Sequence, residues 1–251
     1  TIINDAEVEY PDGSGGVWRP RNYDRTYRGP VTMREALTYS INMVSIRIMD
    51  QIGAPYTAEF ARKLGFSSKI EPNLALALGA ASITPFELTN AYAVFANKGL
   101  LQPAYFITKV TDNDGTVLQE TAPAEPVPSV SPEASYIITN LMQSVVMSGT
   151  GHRAGIDRPV AGKTGTTSDY VDAWFVGYTP RYVCAVWVGY PNSDGTRREM
   201  TSVHGITVAG GTFPAQIWGD FMRTVTAKDG NVDWPLPKDP VDWSAFSSDF
   251  T

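Results

Sequence analysis

The sequence holds one cysteine, two histidines and no run of basic residues, and no apolar stretch nears the roughly 20 residues that a membrane span requires. Each shortage removes a class of function. Cys184 has no disulfide partner and lies in the apolar run Val183 to Val188, so it reads as a small buried hydrophobe. His152 and His204 are far apart and stand beside no cysteine or carboxylate cluster; they make a poor metal pair and are read as surface residues. A formal charge of -6 argues against nucleic acid as a partner, because phosphate-tracking surfaces concentrate Lys and Arg on one face. No basic start leads into an apolar segment, and the chain opens on Thr1. That opening predicts a cut or processed piece of a longer protein, with any anchor or export signal outside it.

What is present suits one globular domain: 251 residues, 43% hydrophobic and 18% charged, enough to bury a sizeable core. Residues 1–30, rich in Pro and Gly, predict an irregular lead-in that packs to cover Trp18, Tyr23 and Tyr27. Thr32 with Glu35 forms a capping box for a helix that runs through Leu37, pauses near Ser40 and resumes toward Gly53. A short helix is expected from Tyr56 to Leu64, closed by Gly65. Thr84-Pro85-Phe86-Glu87 combines cap, N1 proline and N3 glutamate ahead of Leu88, Tyr92 and Phe95. Tyr105 to Val110, Asn113-Asp114-Gly115 and Val117 to Gln119 predict a hairpin, and Thr121 to Pro128 a loop. From Ser131 the apolar stripe Ile137, Ile138, Leu141, Met142, Val145 and Val146 predicts a central helix.

The pattern then changes to strands at Val160 to Thr166, Ala173 to Tyr178 and Tyr182 to Tyr190, joined closely enough to be antiparallel. Ile217, Trp218, Phe221, Met222 and Val225 recur at helical spacing and predict a helix covering the sheet. The tail from Lys228, with Pro235, Pro237 and Pro240, is expected to be irregular. Helices, then neighbouring strands, then a closing helix make an α+β fold with an antiparallel sheet covered by helices.

Lys163-Thr164-Gly165-Thr166 carries the strongest chemical signal, because a lysine entering an apolar strand needs a reason. By composition that tetrapeptide arises in roughly one chain in several hundred of this length. It can grip an anion: the lysine supplies charge, the threonine hydroxyls supply donors, and glycine admits a substrate backbone. The bland alternative is a solvated edge strand that ends in a turn. Ser40-Ile41-Asn42 is weaker, since Ser-x-Asn occurs by chance in roughly half of such chains. It is either a polar break between helices or a pair that passes a proton and holds an amide. Trp174, Phe175 and Trp187 are read as core, and Asp194, Arg197, Arg198 and Glu199 as a solvated loop. Asp169 and Asp172 fit either a cleft border or a polar loop.

Ser-x-Asn followed by Lys-Thr-Gly makes two of the three motifs shared by penicillin-binding proteins and serine β-lactamases. The resemblance continues through Tyr27-Arg28-Gly29-Pro30-Val31-Thr32, Ala91 to Gly99, Gly149-Thr150-Gly151, Asp172 to Tyr178, and Gly210-Gly211 before Pro214 to Trp218. It spans most of residues 18–225, and the chain is similar to the transpeptidase domain of a class A enzyme. The third motif, Ser-x-x-Lys, is missing: the residues three before each lysine are Phe60, Phe66, Phe95, Phe106, Val160, Val225 and Pro235. In the family that motif precedes the region seen here as residues 1–30, so the resemblance implies a fold truncated at its N-terminus, with residues 1–251 the C-terminal part of one domain. A decayed pseudoenzyme is the alternative.

The resemblance implies peptidoglycan D,D-transpeptidation. A serine attacks the penultimate D-alanine of a stem peptide ending in D-Ala-D-Ala, and the acyl-enzyme is resolved by a second peptide's amine. Ser40 would relay a proton beside Lys163, and Asn42 would orient the substrate amide. Lys163, Thr164, Gly165 and Thr166 would hold the terminal carboxylate of the peptide or of a β-lactam, and the Thr166 N–H would serve the oxyanion. No cofactor or metal is implied. The parent protein would be membrane-anchored, on the outer face of the cytoplasmic membrane, and joined to a glycosyltransferase domain. Without its nucleophile this chain alone is expected to be inert. Competing readings are a non-catalytic stem-peptide-binding or scaffold module, and a D,D-carboxypeptidase or β-lactamase.

Overall fold

The computed structural model describes residues 1–12, 15–191 and 195–239. Gly13, Asp194, Pro240 and the remaining tail lie outside the described residues. Strand β1 (Ile2–Asp5) pairs antiparallel with β2 (Gly29–Thr32), matching Ile3 to Val31 and Asp5 to Gly29. The lead-in is therefore not wholly irregular. The strand escapes the eye because it is four residues long, one of its two inward positions is the charged Asp5, and its partner lies more than twenty residues away. Tyr10–Pro11 and Val17–Trp18 form a second small pairing. Tyr23 and Tyr27 stay exposed, against the expectation that the segment covers them.

Helix α1 (Met33–Thr38) starts on the predicted capping box: Thr32 Oγ1 accepts from the Glu35 N–H at 3.2 Å, and Glu35 Oε2 accepts from the Thr32 N–H at 3.0 Å. After a break at residues 39–41 come α2 (Asn42–Ile52) and α3 (Ala54–Lys63). Helix α4 (Pro85–Ala96) opens on the Thr84–Glu87 box, and Glu87 reaches further than a cap requires. Its carboxylate also accepts from the N–H and hydroxyl groups of Ser67 and Ser68, at 2.6–2.9 Å, tying the preceding loop to the helix start. The hairpin shrinks to Lys109–Thr111 against Val117–Glu120, bulged after Val110, with one further backbone bond beyond it, from the Thr121 N–H to the Thr108 carbonyl at 2.9 Å. Within the Pro-rich loop, Val127–Pro128 pairs with Leu100–Leu101.

Helix α5 (Pro132–Met147) is central as expected, packed against α1, α4 and the main sheet. Its deepest row is Ser135, Thr139, Met142, Val145 and Val146, so two hydroxyl residues replace part of the predicted apolar stripe. Both are satisfied: Ser135 donates to the Phe95 carbonyl, and Thr139 bonds the Tyr178 hydroxyl at 2.8 Å.

The main sheet has the order β5-β4-β3, all antiparallel, from β3 (Ala161–Thr166), β4 (Asp172–Tyr178) and β5 (Val183–Gly189). Helices α4 and α5 lie on one face, and α6 (Phe213–Val225) on the other. Central β4 feeds both sides, since alternate residues point oppositely. Phe175 meets Trp218 of α6 edge-on at 5.4 Å, while Tyr178 packs against Tyr92 of α4 and Trp234 of the tail. Phe175, Tyr178 and Trp218 are fully buried, each such side chain contributing about 1.5–3 kcal/mol. The α+β arrangement stands as predicted.

Three apolar expectations change. Trp174 of β4, paired with Trp187 at a ring separation of 6.3 Å, is half-buried, and Trp187 is exposed because β5 is an edge strand. Cys184 is half-buried, not buried, for the same reason. On α6 the inward row is Ala215, Trp218 and Met222, and Ile217, Phe221 and Val225 form an exposed apolar row.

Candidate functional site

The turn carrying Ser40 is a helix terminus of a defined kind. Ser40 N–H donates to the Leu37 carbonyl and Ile41 N–H to that of Ala36, with Ser40 itself left-handed at φ 56°. This double bond pattern normally takes glycine at the left-handed position. A serine there costs about 1 kcal/mol or more, a strain that clusters at working sites. Ile41 and Ala36 bury together beneath the turn and fix it.

Asn42 begins α2, which has no side-chain cap of its own. The cap comes from a distance: Asn22 Oδ1 accepts from the Met43 N–H at 3.1 Å. Asn22 Nδ2 in turn donates to Asp5 Oδ1 at 2.7 Å and to the Thr26 carbonyl, while Asp5 Oδ2 accepts from the Arg28 N–H. Asp5 and Asn22 are both buried, so the lead-in anchors the helix that carries Asn42. Asn42 Nδ2 donates to the Arg21 carbonyl at 2.9 Å, which turns the amide and leaves its oxygen for another donor.

Opposite this turn runs β3. Lys163 Nζ donates to Ser40 Oγ at 2.7 Å and to the Thr164 carbonyl at 3.0 Å. Burial pushes the lysine pKa down to about 8, since a charged ammonium gives up water to sit there. Thr164 and Thr166 project from the other face of the strand. Thr164 Oγ1 bonds Thr150 Oγ1 at 2.7 Å, and Thr166 Oγ1 accepts from the Gly210 N–H at 2.9 Å. Because Thr167 N–H bonds the Asp172 carbonyl of the neighbouring chain segment, the Thr166 N–H points away from β4, out of the edge of β3 that is unpaired among the described residues.

Backbone crowding sets the surroundings. A Cβ on Gly210 would lie 2.2 Å from the Trp174 carbonyl oxygen and 2.6 Å from that of Gly165. One on Gly149 would lie 2.3 Å from the Thr38 carbonyl oxygen, and Thr150 N–H donates to that same oxygen at 3.2 Å. The near backbone neighbour at Gly165 is thus Gly210.

The structure brings Ser40 and Lys163 into contact across more than 120 residues and places Thr164, Gly165 and Thr166 on the same strand, with Asn42 on the turn of Ser40. Three participants went unread. Asp5 and Asn22 lie in a segment with no periodic pattern, and Thr150 stood only within a family resemblance. Tyr23 and Tyr170 add a second bridge, hydroxyl to hydroxyl, between the Asn22 loop and the loop after β3. That bond raises the Tyr23 pKa. Cavities of about 420 and 490 Å³ lie away from the Lys163–Ser40 contact, one lined by Trp234 and the other by Val160. Asp172 accepts from the Trp187 indole at 2.9 Å, and Asp169, His152 and His204 are exposed. Arg197, Arg198 and Glu199 are exposed as expected.

Residues 2–207 match the family model described as the penicillin binding protein transpeptidase domain. The chain is 38% identical over 242 residues to penicillin-binding protein 1A of Aquifex aeolicus, covering 96% of this chain and 32% of that protein. Against penicillin-binding protein 1A of Neisseria meningitidis it is 40% identical over 232 residues, covering 89% of this chain and 28% of the relative. It therefore spans about a third of the length of the curated relatives it matches. Among solved structures, penicillin-binding protein 1A of Haemophilus influenzae superposes with a TM-score of 0.84 at 27% identity, over 94% of this chain and 40% of that one. The penicillin-binding protein PonA1 of Mycobacterium tuberculosis gives 0.83 at 25%, over 95% and 66%. With the lysine strand and the serine turn held against each other as described, and a family model covering most of its length, the chain belongs to the penicillin-binding protein transpeptidase domain family.

Proposed function

We propose that residues 1–251 form the C-terminal part of a D,D-transpeptidase domain that cross-links stem peptides ending in D-Ala-D-Ala, acylated through a serine supplied by chain outside these residues. The observation that carries this reading is the 2.7 Å bond from Lys163 Nζ to Ser40 Oγ. A lysine poised near pH 8 can return a proton to the serine hydroxyl as that hydroxyl protonates the departing D-alanine amine. The Asn42 amide oxygen accepts from the substrate amide N–H. Lys163 supplies positive charge, and Thr164 and Thr166 supply hydroxyl donors, for the terminal carboxylate of the peptide or of a β-lactam. The Thr166 N–H, aimed out of that edge of β3, is one of two donors to the tetrahedral oxyanion; the acylated serine's own N–H is the other. Loss of one such donor typically costs about 10²- to 10³-fold in rate.

Two surfaces support a domain that continues beyond these residues. Among the described residues β5 pairs on one side only, and the row Ile217, Phe221, Val225 of α6 lies bare on the sheet's far side. The parent protein is proposed to be anchored with this domain on the outer face of the cytoplasmic membrane and to carry a glycosyltransferase domain. No helix of the described residues is long and apolar enough to cross a membrane.

Fluorescent penicillin tests the reading. The full-length protein is expected to be labelled covalently, its Lys163→Ala variant to lose the label, and residues 1–251 alone to take none. An unlabelled full-length protein overturns the reading. Saturable binding of an acyl-D-Ala-D-Ala peptide without labelling would make this a binding module, and hydrolysis without cross-linked dimer a carboxypeptidase.

A further inference from the structure

We infer that Thr150 is a positioning residue for the carboxylate end of the ligand, aligning the Thr164 hydroxyl by donating its own proton to it. The inference rests on the proposed function and deepens it. Thr150 sits between Gly149 and Gly151, just past α5, and is held on three sides. Its N–H donates to the Thr38 carbonyl, two residues before Ser40, and its hydroxyl bonds Thr164 at 2.7 Å. Its carbonyl backs onto Gly211, where a Cβ would lie only 2.3 Å away. Gly151 is pressed against the Phe175 ring in the same way, at 2.9 Å. Thr150 therefore links the end of the serine helix to the lysine strand, and neither neighbour leaves it room to shift.

The proton count assigns the direction. A hydroxyl has one proton, and a carboxylate only accepts. When Thr164 spends its proton on a carboxylate, its oxygen can meet Thr150 only as an acceptor, so Thr150 must be the donor. The result is a chain from Thr150 through Thr164 to the anion, in which each bond polarises the next. A neutral acceptor such as an ester carbonyl draws on the same chain more weakly, because its bond to Thr164 lacks the charge. Thr150 thus acts selectively on ligands that carry the negative charge.

The test compares two ligands on one protein. In the full-length protein Thr150→Val keeps the branched shape and removes the hydroxyl, and Thr150→Ser keeps the hydroxyl. Acylation rate constants are measured with benzylpenicillin and with its methyl ester, which retains the strained amide and lacks the charge. Thr150→Val is expected to slow benzylpenicillin roughly tenfold, the upper end for one lost bond between neutral groups, while changing the ester rate less than about twofold. Thr150→Ser should restore the ratio. Equal losses on both ligands, or no loss on benzylpenicillin, overturn the inference and leave the proposed function standing. Failure of the unsubstituted protein to be acylated at all overturns both. Should Thr150→Val not fold, the same ratio is read from Thr150→Ala.

Discussion

Replacing Lys163 with methionine should abolish the rise in stability that the unsubstituted protein shows between neutral pH and alkali. The folded state lowers the lysine pKa from 10.5 to about 8. At about 1.4 kcal/mol per pK unit, holding the proton costs the fold about 3 kcal/mol wherever both states are protonated. That penalty is fully present below about pH 8 and fades as pH rises toward the unfolded value, because between the two the unfolded chain binds more protons. Against it stand two hydrogen bonds from a charged donor, to Ser40 Oγ and the Thr164 carbonyl, worth about 1.5–3 kcal/mol each. Lys163→Met is thus expected to match the unsubstituted protein near pH 7 or to be less stable by up to about 3 kcal/mol. Between about pH 7 and 9.5 the unsubstituted protein recovers about 2 kcal/mol, so its lead over the variant widens by that amount. Urea denaturation of both proteins across this range, followed by tryptophan fluorescence, reads the difference. Parallel stability curves would show that Lys163 is not desolvated in the fold, and the argument for a proton donor tuned to neutral pH would fail with it.

Glu87→Gln should cost about 2–3 kcal/mol at pH 7, since it sets an NH2 among donors from Ser67, Ser68 and Thr84. The Ser68 and Ser67 hydroxyls hold the Glu87 pKa well below the carboxylate range, so its contribution is present above about pH 4.5 and lost as pH falls further. Urea midpoints of the two proteins should therefore converge in acid. Asn22→Ala removes the remote cap of α2 and a partner of buried Asp5, at about 1–2 kcal/mol. Hydrogen exchange should speed up at the Met43 amide and stay slow at Val176; unchanged Met43 exchange would count against the anchoring role of the lead-in.

Local chemistry was legible where one short stretch contained its own reason. The boxes at Thr32–Glu35 and Thr84–Glu87 need four residues each, and both form. The three late strands announce themselves by alternation and close turns, and they pair as read. Lys163 stood out because nothing apolar explains it. What failed were features defined by a partner far along the chain. The β1–β2 pairing, the Asp5–Asn22–Met43 relay and the Thr150–Thr164 bond each join segments that carry no common period. The exposed row on α6 misled for a different reason: Ile217, Phe221 and Val225 share helical spacing with Trp218 and Met222, and a repeat of 3.6 does not say which of two apolar faces is covered.

The contacts of Gly149, Gly210 and Gly211 with neighbouring carbonyls have a mechanical meaning. Peptide groups there rest directly on one another, as stacked bricks do without mortar, so the loops that join the serine helix to the lysine strand are spaced by van der Waals radii, while the direct bond between the two is the side-chain one from Lys163 to Ser40. Such a joint cannot be retuned in small steps. A single added methyl would pry the two walls apart, whereas generous change in the residues around the rim would leave the aperture as it is.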